Sequence, residues 1–263
     1  MIRDQLAPEI LSQLHEELEQ ALEGEVRFER FFRGMHSTDA SVYQIMPLGV
    51  VAPRSHSDVI RVVELCQRYG ASITARGGGT SQAGQAIGPG VVLDFSRYMH
   101  RLLELDVEAR TAWVEPGLVL DELNARLAPH DLQLPLDIST ANRATIGGMI
   151  ANNSAGTRSI IYGKTIDYVE ELEVVLADGT LVTMQPLDEK ALREKSAARD
   201  LEGNCYRIVR ELSATHQDEI HRRYPKILRR VGGYNLDEFL PADRPFNLCR
   251  IMVGSEGTLG LTV

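Results

Sequence analysis

The run Ala75-Arg76-Gly77-Gly78-Gly79-Thr80-Ser81-Gln82-Ala83-Gly84-Gln85 gathers the ingredients of a backbone anion site. Three consecutive glycines remove every Cβ from a tight turn and permit positive φ. Successive backbone N–H groups can then converge on an anion as a nest, with the hydroxyls of Thr80 and Ser81 as further donors. A diphosphate is the natural guest; an ordinary flexible loop is the alternative reading of the residues alone. The segment Ser72-Ile73-Thr74-Ala75 directly upstream reads as a strand, so the loop lies at a strand end. Two other phosphate-binding patterns do not fit. The fingerprint Gly-x-Gly-x-x-Gly opening a helix fails, because Gln82 falls where the last glycine belongs and Gly84 to Gly90 has no helical pattern. Gly163-Lys164-Thr165 resembles the end of a P-loop, but Arg158 stands where that motif needs its first glycine.

A second block, Ala144-Thr145-Ile146-Gly147-Gly148-Met149-Ile150-Ala151-Asn152-Asn153-Ser154-Ala155-Gly156, closes a Gly/Asn/Ser-rich stretch that begins at Ser139. Its paired glycines allow close backbone approach, and its small polar side chains suit a planar heterocycle or a polyhydroxyl chain. A packed glycine-rich turn has the same composition. A third turn, Glu115-Pro116-Gly117, joins a strand to a helix whose N-terminus could face an anion.

The elements that must position these blocks follow from periodicity. Pro8 to Leu22 is an amphipathic helix with Leu11, Leu14, Leu18, Ala21 and Leu22 on one face. A polar, irregular stretch runs to Ser41, and Tyr43 to Ala52 is extended, stopped by Pro53. Ser57 caps a helix that turns Val59, Val62, Val63 and Cys66 inward and ends at Gly70. Short β segments follow at Val91 to Phe95, Leu102 to Leu105 and Thr111 to Val114, then a helix from Val119 to Leu127. Val169 to Met184 alternates as a β-hairpin with Asp178-Gly179 as a two-residue turn. Residues 188–230 are helical and charged, with Arg222-Arg223 and Arg229-Arg230 read as solvated.

Composition narrows the function classes. With 263 residues and 43% apolar content the chain can bury a real core. A formal net charge of −9 argues against a nucleic-acid binder, which needs a basic field. Cys66, Cys205 and Cys249 have no disulfide, zinc or iron–sulfur spacing and read as reduced, buried thiols, which points to a cytoplasmic setting. Asp4, Glu9 and His15 interrupt any signal-peptide core. No 18-residue apolar run spans a bilayer, although peripheral membrane contact is compatible with this composition. The seven histidines show no metal spacing and read mostly as surface residues.

In order, Val51-Ala52-Pro53, Arg76-Gly77-Gly78-Gly79-Thr80, Val114-Glu115-Pro116-Gly117, Thr145-Ile146-Gly147-Gly148, Asn153-Ser154-Ala155-Gly156, Tyr162-Gly163 and Gly254-Ser255-Glu256-Gly257-Thr258-Leu259-Gly260 resemble the FAD-binding domain of the vanillyl-alcohol-oxidase/p-cresol-methylhydroxylase (PCMH) type. Within that superfamily the pattern is most similar to the FAD-linked D-2-hydroxyacid dehydrogenases. The resemblance covers roughly residues 40–263. It implies an α+β fold of two α/β subdomains with FAD between them, preceded by an N-terminal helical extension over residues 1–40. It also implies that Gly77 to Gln82 hold the diphosphate, joined by Arg76, Gly84 and Gln85. Thr145, Ile146, Gly147 and Gly148, with Asn152, Asn153 and Gly156, would follow the flavin and its ribityl chain. Val169, after Tyr162 and Gly163, would lie near the adenine, while Pro116, Gly117, Glu256 and Gly257 complete the contacts. Thr80-Ser81-Gln82 stand where covalent members often carry a histidine, so the FAD is expected to be non-covalent.

The implied reaction takes a small 2-hydroxyacid, whose Cα gives a hydride to flavin N5 while a base takes the hydroxyl proton. No pattern identifies the catalytic base or the electron acceptor. The resemblance also implies a histidine-rich metal motif, and in the long fusions iron–sulfur clusters, downstream of Val263; separately, the chain stops inside an apolar β-like run, which suggests the front piece of a longer protein. Taken alone, the piece is expected to bind FAD and turn over poorly. An NADPH-dependent enolpyruvyl-UDP-sugar reductase on the same scaffold and a non-catalytic flavin-binding module are the alternatives.

Overall fold

Residues 6–230, 232–241 and 243–263 are described in the computed structural model. Pro8–Ala21 form α1, as the leucine spacing predicts, and Leu14 and Leu18 are fully buried. The stretch read as irregular contains β1 (Glu25–Arg27) and α2 (Arg30–Met35). Both are too short for a period to register in sequence. The segment expected to be extended from Tyr43 becomes a strand only at Gly49–Ala52 (β2).

Next comes α3 (His56–Tyr69). Its cap is Ser55, whose hydroxyl accepts the Asp58 N–H at 3.3 Å; Ser57, the expected cap, lies within the first turn. Gly70 at φ 72° ends α3 as predicted, and the Ala71 N–H donates to the Cys66 carbonyl. After β3 (Ile73–Arg76) and β4 (Val91–Asp94) the first sheet is complete, in the order β1-β2-β4-β3. β4 runs parallel to both β2 and β3, and β1 is antiparallel to β2. α1 and α3 pack on each other and on Val51, Val91 and Leu93 of this sheet. β3 forms an edge of it, and its C-terminal end delivers the glycine loop.

The second subdomain starts with the hairpin of β5 (Leu102–Asp106) and β6 (Thr111–Val114), followed by α4 (Leu120–Leu127). Ile146–Asn152 form α5 and Ser159–Tyr162 form α6. β7 (Leu172–Val175) and β8 (Leu181–Met184) make the predicted hairpin. Its connection has three residues, Ala177, Asp178 and Gly179, where two were expected: Leu176 N–H donates to Thr180 O at 2.9 Å and Gly179 takes φ 86°. A type I turn followed by a left-handed glycine is a common three-residue solution. Helices α7 (Glu189–Ala197), α8 (Leu201–Thr215), α9 (Gln217–Arg223) and α10 (Cys249–Met252) lead to β9 (Leu261–Thr262). The sheet order is β8-β7-β9, with β7 antiparallel to both neighbours.

Side chains alternate across a strand, and β7 uses both of its faces. Val174 joins the second core with Leu118, Met149 and Tyr206, while Val175 joins the first core with Leu261 and Val263. The residues before position 41 are tied to the first sheet through β1 and through α1.

Candidate ligand-binding cleft

Between the two subdomains lies a cleft of about 490 Å³, inside the range of small-molecule and cofactor sites. One wall is Ile73, Thr74 and Ala75 of β3 with the glycine loop, Gly77 to Ser81, and Gln85 to Ile87. The other is α5, with Thr145, Gly148, Met149 and Asn152 at helical i, i+3, i+4, i+7 spacing, flanked by Ile138 to Thr140, Ser154 and Ala155. Glu256, Gly257 and Thr258 close it. A smaller cavity of about 70 Å³ shares Gly77, Thr145 and Gly148 with the cleft and is further bordered by Arg76, Pro116 and Gly147.

The glycines of the loop have separate reasons to be there. A Cβ on Gly77 would stand 2.0 Å from Thr145 Oγ1, and one on Gly78 would stand 2.2 Å from the Arg143 carbonyl oxygen. The loop therefore touches the opposite wall through bare backbone. Gly79 sits at φ 63° with the Arg76 guanidinium against its Cα. Two loop carbonyls are committed: Arg76 O accepts the Phe95 N–H at 3.0 Å and Gly79 O accepts the Ala40 N–H at 3.1 Å. Among the described residues, no protein acceptor takes the amides of Gly77, Gly78, Gly79, Thr80 or Ser81. Five free donors in one loop beside an open cleft are what an anionic group requires.

Arg76 serves the loop from beneath. Its Nη1 donates to Thr38 O at 2.9 Å and to Ala86 O at 3.1 Å, bridging the two segments on which the loop rests. Burial pushes its guanidinium below the ordinary value, with the Asp94 and Asp39 carboxylates opposing that shift. Burial also pushes the Asp94 carboxyl up, but hydrogen bonds from His36 and Ser96 outweigh it, so the carboxyl lies below its usual value. His36, read as a surface residue, holds Asp94 Oδ2 through Nε2 at 3.1 Å with its side chain only 14% exposed.

The second glycine-rich block, whose composition fits a turn, forms a helix. Thr145 caps α5, its Oγ1 accepting the Gly148 N–H at 3.3 Å. Ile146 N–H donates to Leu118 O and Gly147 N–H to Pro116 O, both at 2.8 Å. Pro116 backs α5 so closely that a Cβ on Gly147 would lie 2.7 Å from its Cβ, and Gly117 is packed against Phe95 O and Met99 O. The expectation that the helix after Gly117 faces an anion is not met. The first amides of α4 are spent inside the protein, Leu120 N–H on Ala144 O and Asp121 N–H on Ala141 O, each at 3.1 Å.

Of the residues predicted from sequence, Gly77, Gly78, Gly79, Thr80, Ser81, Gln85, Thr145, Gly148, Asn152, Glu256 and Gly257 line the cleft. Gln82, Gly84, Gly117, Ile146, Asn153, Gly156, Tyr162, Gly163 and Val169 line neither cavity. Ile146 is core, and Asn153 is 1% exposed, at φ 48°, its Oδ1 accepting the Ile166 N–H at 3.1 Å. Gly156 lies against Asp137, with its carbonyl accepting from Arg229. Tyr162 O accepts the Tyr168 hydroxyl at 2.6 Å, Gly163 turns the chain at φ 72°, and Val169 packs on the second core. Arg229 and Arg230, read as solvated, are engaged: Arg229 also holds Ser159 Oγ at 2.8 Å, and Arg230 pairs with Asp237 at 2.6 Å. Arg222 and Arg223 are exposed and pair with Glu219, as solvated charges do. Sequence reasoning missed Ile138, Ser139, Thr140 and Thr258 as lining residues. Ser139 and Thr140 open the Gly/Asn/Ser-rich stretch and Thr258 lies within the Gly254-to-Gly260 motif, whereas Ile138 had no local signal.

Comparison with known proteins agrees with this geometry. The sequence profile of the FAD binding domain matches residues 47–185, just over half of the chain. The chain is 40% identical over 243 residues to D-2-hydroxyglutarate dehydrogenase of Pseudomonas putida, covering 91% of this chain and 24% of that protein. It is 32% identical over 232 residues to glycolate oxidase subunit GlcD of Bacillus subtilis, covering 87% of this chain and 38% of that protein. It thus spans about a quarter of the length of its dehydrogenase relative. Among solved structures, alkyldihydroxyacetonephosphate synthase superposes with a TM-score of 0.64 at 22% identity, covering 98% of this chain and 38% of that one, which shows a shared fold. The chain belongs to the FAD-binding domain family, and FAD is its cofactor.

Proposed function

We propose that this chain is the FAD-holding part of a flavoenzyme that oxidises a D-2-hydroxyacid of the lactate, glycolate or 2-hydroxyglutarate class. The observation that carries the reading is the row of unpaired amides from Gly77 to Ser81, pressed by two glycines without room for a Cβ against Thr145 and Arg143. These donors suit the diphosphate of FAD. The small polar face of α5 with Ser139 and Thr140 suits a heterocycle and its hydroxylated tail. When bound, FAD supplies the hydride-accepting chemistry; the protein supplies position, donors and exclusion of water. Gly117, Ile146 and Asn153 act one layer back, packing behind α5 and ending it. Among the described residues, the cleft lining contains no His, Cys or Tyr, which supports non-covalent attachment. The relatives named for D-2-hydroxyglutarate, D-lactate and glycolate support the substrate class. Three unpaired thiols support a reducing, cytoplasmic setting.

The test is direct. Titrating the purified chain with FAD is expected to quench flavin fluorescence saturably, and acid precipitation is expected to release the flavin into the supernatant. A chain that takes up no FAD overturns the reading; a yellow acid pellet overturns non-covalent attachment. In the longer polypeptide that carries this domain, reduction of bound flavin by a D-2-hydroxyacid, and not by NADPH, separates a dehydrogenase from a reductase on the same scaffold.

A further inference from the structure

The two walls of the cleft also meet through side chains. Gln85 Nε2, on the wall formed by the first subdomain, donates to Glu256 Oε1 at 3.2 Å, on the wall formed by the second. Both residues line the cleft. The Gln85 amide is oriented before it reaches across: the Ser81 hydroxyl donates to Gln85 Oε1, and the Gln85 backbone N–H donates back to Ser81 Oγ at 3.3 Å. With the amide oxygen taken by Ser81, the NH₂ end is the one left for Glu256.

Glu256 is held just as firmly. Its N–H donates to Ala151 O at 3.0 Å, and Gly254 N–H donates to Ile150 O at 2.9 Å, so this turn is pinned to the C-terminal half of α5. Glu256 adopts φ 53°, a left-handed conformation that costs a non-glycine residue roughly 1 kcal/mol or more. A glycine would sit there without strain. The conformation is kept with a carboxylate that reaches the opposite wall.

We propose that Ser81, Gln85 and Glu256 form a latch across the cleft that retains bound FAD: the bridge opens for the cofactor to enter or leave and so sets its dissociation rate. The proposal rests on the cleft being the FAD site. The latch begins at Ser81, inside the anion loop, so the donors expected to grip the diphosphate and the bridge that closes over the ligand belong to one segment.

The experiment is FAD release from the loaded chain, followed as the rise of free-flavin fluorescence after large dilution. Gln85→Ala removes the bridge, and Gln85→Glu opposes two carboxylates. Each is expected to speed release about tenfold, the scale of losing a hydrogen bond to a charged group. The exchanged pair Gln85→Glu with Glu256→Gln restores one donor and one acceptor in reverse order and is expected to return release to near the wild-type rate. Thermal midpoints of the FAD-free variants, expected to match wild type, show that the fold is retained. If one Gln85 variant lowers that midpoint, the other carries the comparison. Release unchanged in the Gln85 variants overturns the latch. Fast release that the exchanged pair does not repair also overturns it, since Glu256 would then act by touching the cofactor itself. Wild-type chain that binds no FAD refutes the site assignment instead.

Discussion

Gly77, Gly78 and Gly79 look equivalent in sequence, but they meet different neighbours. The Cβ clash at Gly79 is with the far end of Arg76, which can swing away, whereas at Gly78 it is with the Arg143 backbone carbonyl, which cannot. Gly78→Ala must therefore push the loop off the opposite wall. Overpacking of this kind costs about 1–3 kcal/mol, so FAD affinity is expected to fall by about tenfold or more. Fluorescence titration measures it. Gly34→Ala is the internal control: nothing lies within 4 Å of its Cβ, it sits inside α2, and it is expected to leave affinity unchanged. At this scale Arg76 changes meaning as well. A cation beside an anion loop invites assignment as a ligand, yet its guanidinium is tied to Thr38 O and Ala86 O, so its work is to hold the loop.

α5 is the element on which the second wall depends, and it is held at both ends: Thr145 caps the start, and Asn153 at φ 48° turns the chain out of the helix. Two glycines in a seven-residue helix make it intrinsically poor, each costing about 1 kcal/mol relative to alanine. The cap consequently matters more than usual. Thr145→Ala is expected to lower stability by about 1 kcal/mol and Thr145→Ser to retain most of it, read as thermal midpoints of the FAD-free chain. This element also shows where sequence stops being informative. α1, α3 and the β7–β8 hairpin were legible because apolar period, caps and turn residues are local. The loop from Arg76 to Gln85 was legible for the same reason, since its glycines follow a strand directly. α5 was not, because helix propensity cannot explain Gly147 and Gly148; they are required by the nearness of Pro116 and by the cleft, which are long-range facts. Ser55 rather than Ser57 capping α3 is a two-residue ambiguity between two serines. Asn153, Gly156 and Arg229 were visible as residue types, but their burial and partners come from contacts distant in sequence, as with Arg229 and Gly156, 73 positions apart.

The two cores give the thiols of the whole molecule different fates. Cys66 is packed in the first core and Cys249 in the second, and burial pushes each thiol up to about 12. Cys205 is only partly buried, and burial, with the nearby Asp178 and Glu202 carboxylates, raises its thiol as well. Thiolate is the reactive form. In the native chain a thiol reagent at neutral pH is therefore expected to titrate at most one group, Cys205, and to reach all three only in denaturant. Early reaction of Cys66 or Cys249 would mean that one core opens independently of the other. That outcome is unexpected because β7 lends one face to each core, and because Val263, whose N–H donates to Glu173 O at 3.0 Å, packs with Leu14 and Val51 from the opposite end of the chain. During synthesis this arrangement has a kinetic meaning. The first sheet lacks part of its packing until residues 261–263 have cleared the ribosome, so helices α1 and α3 must wait, partly exposed, for a segment about two hundred residues later. The cleft, closed by Glu256, Gly257 and Thr258, is likewise among the last features to assemble.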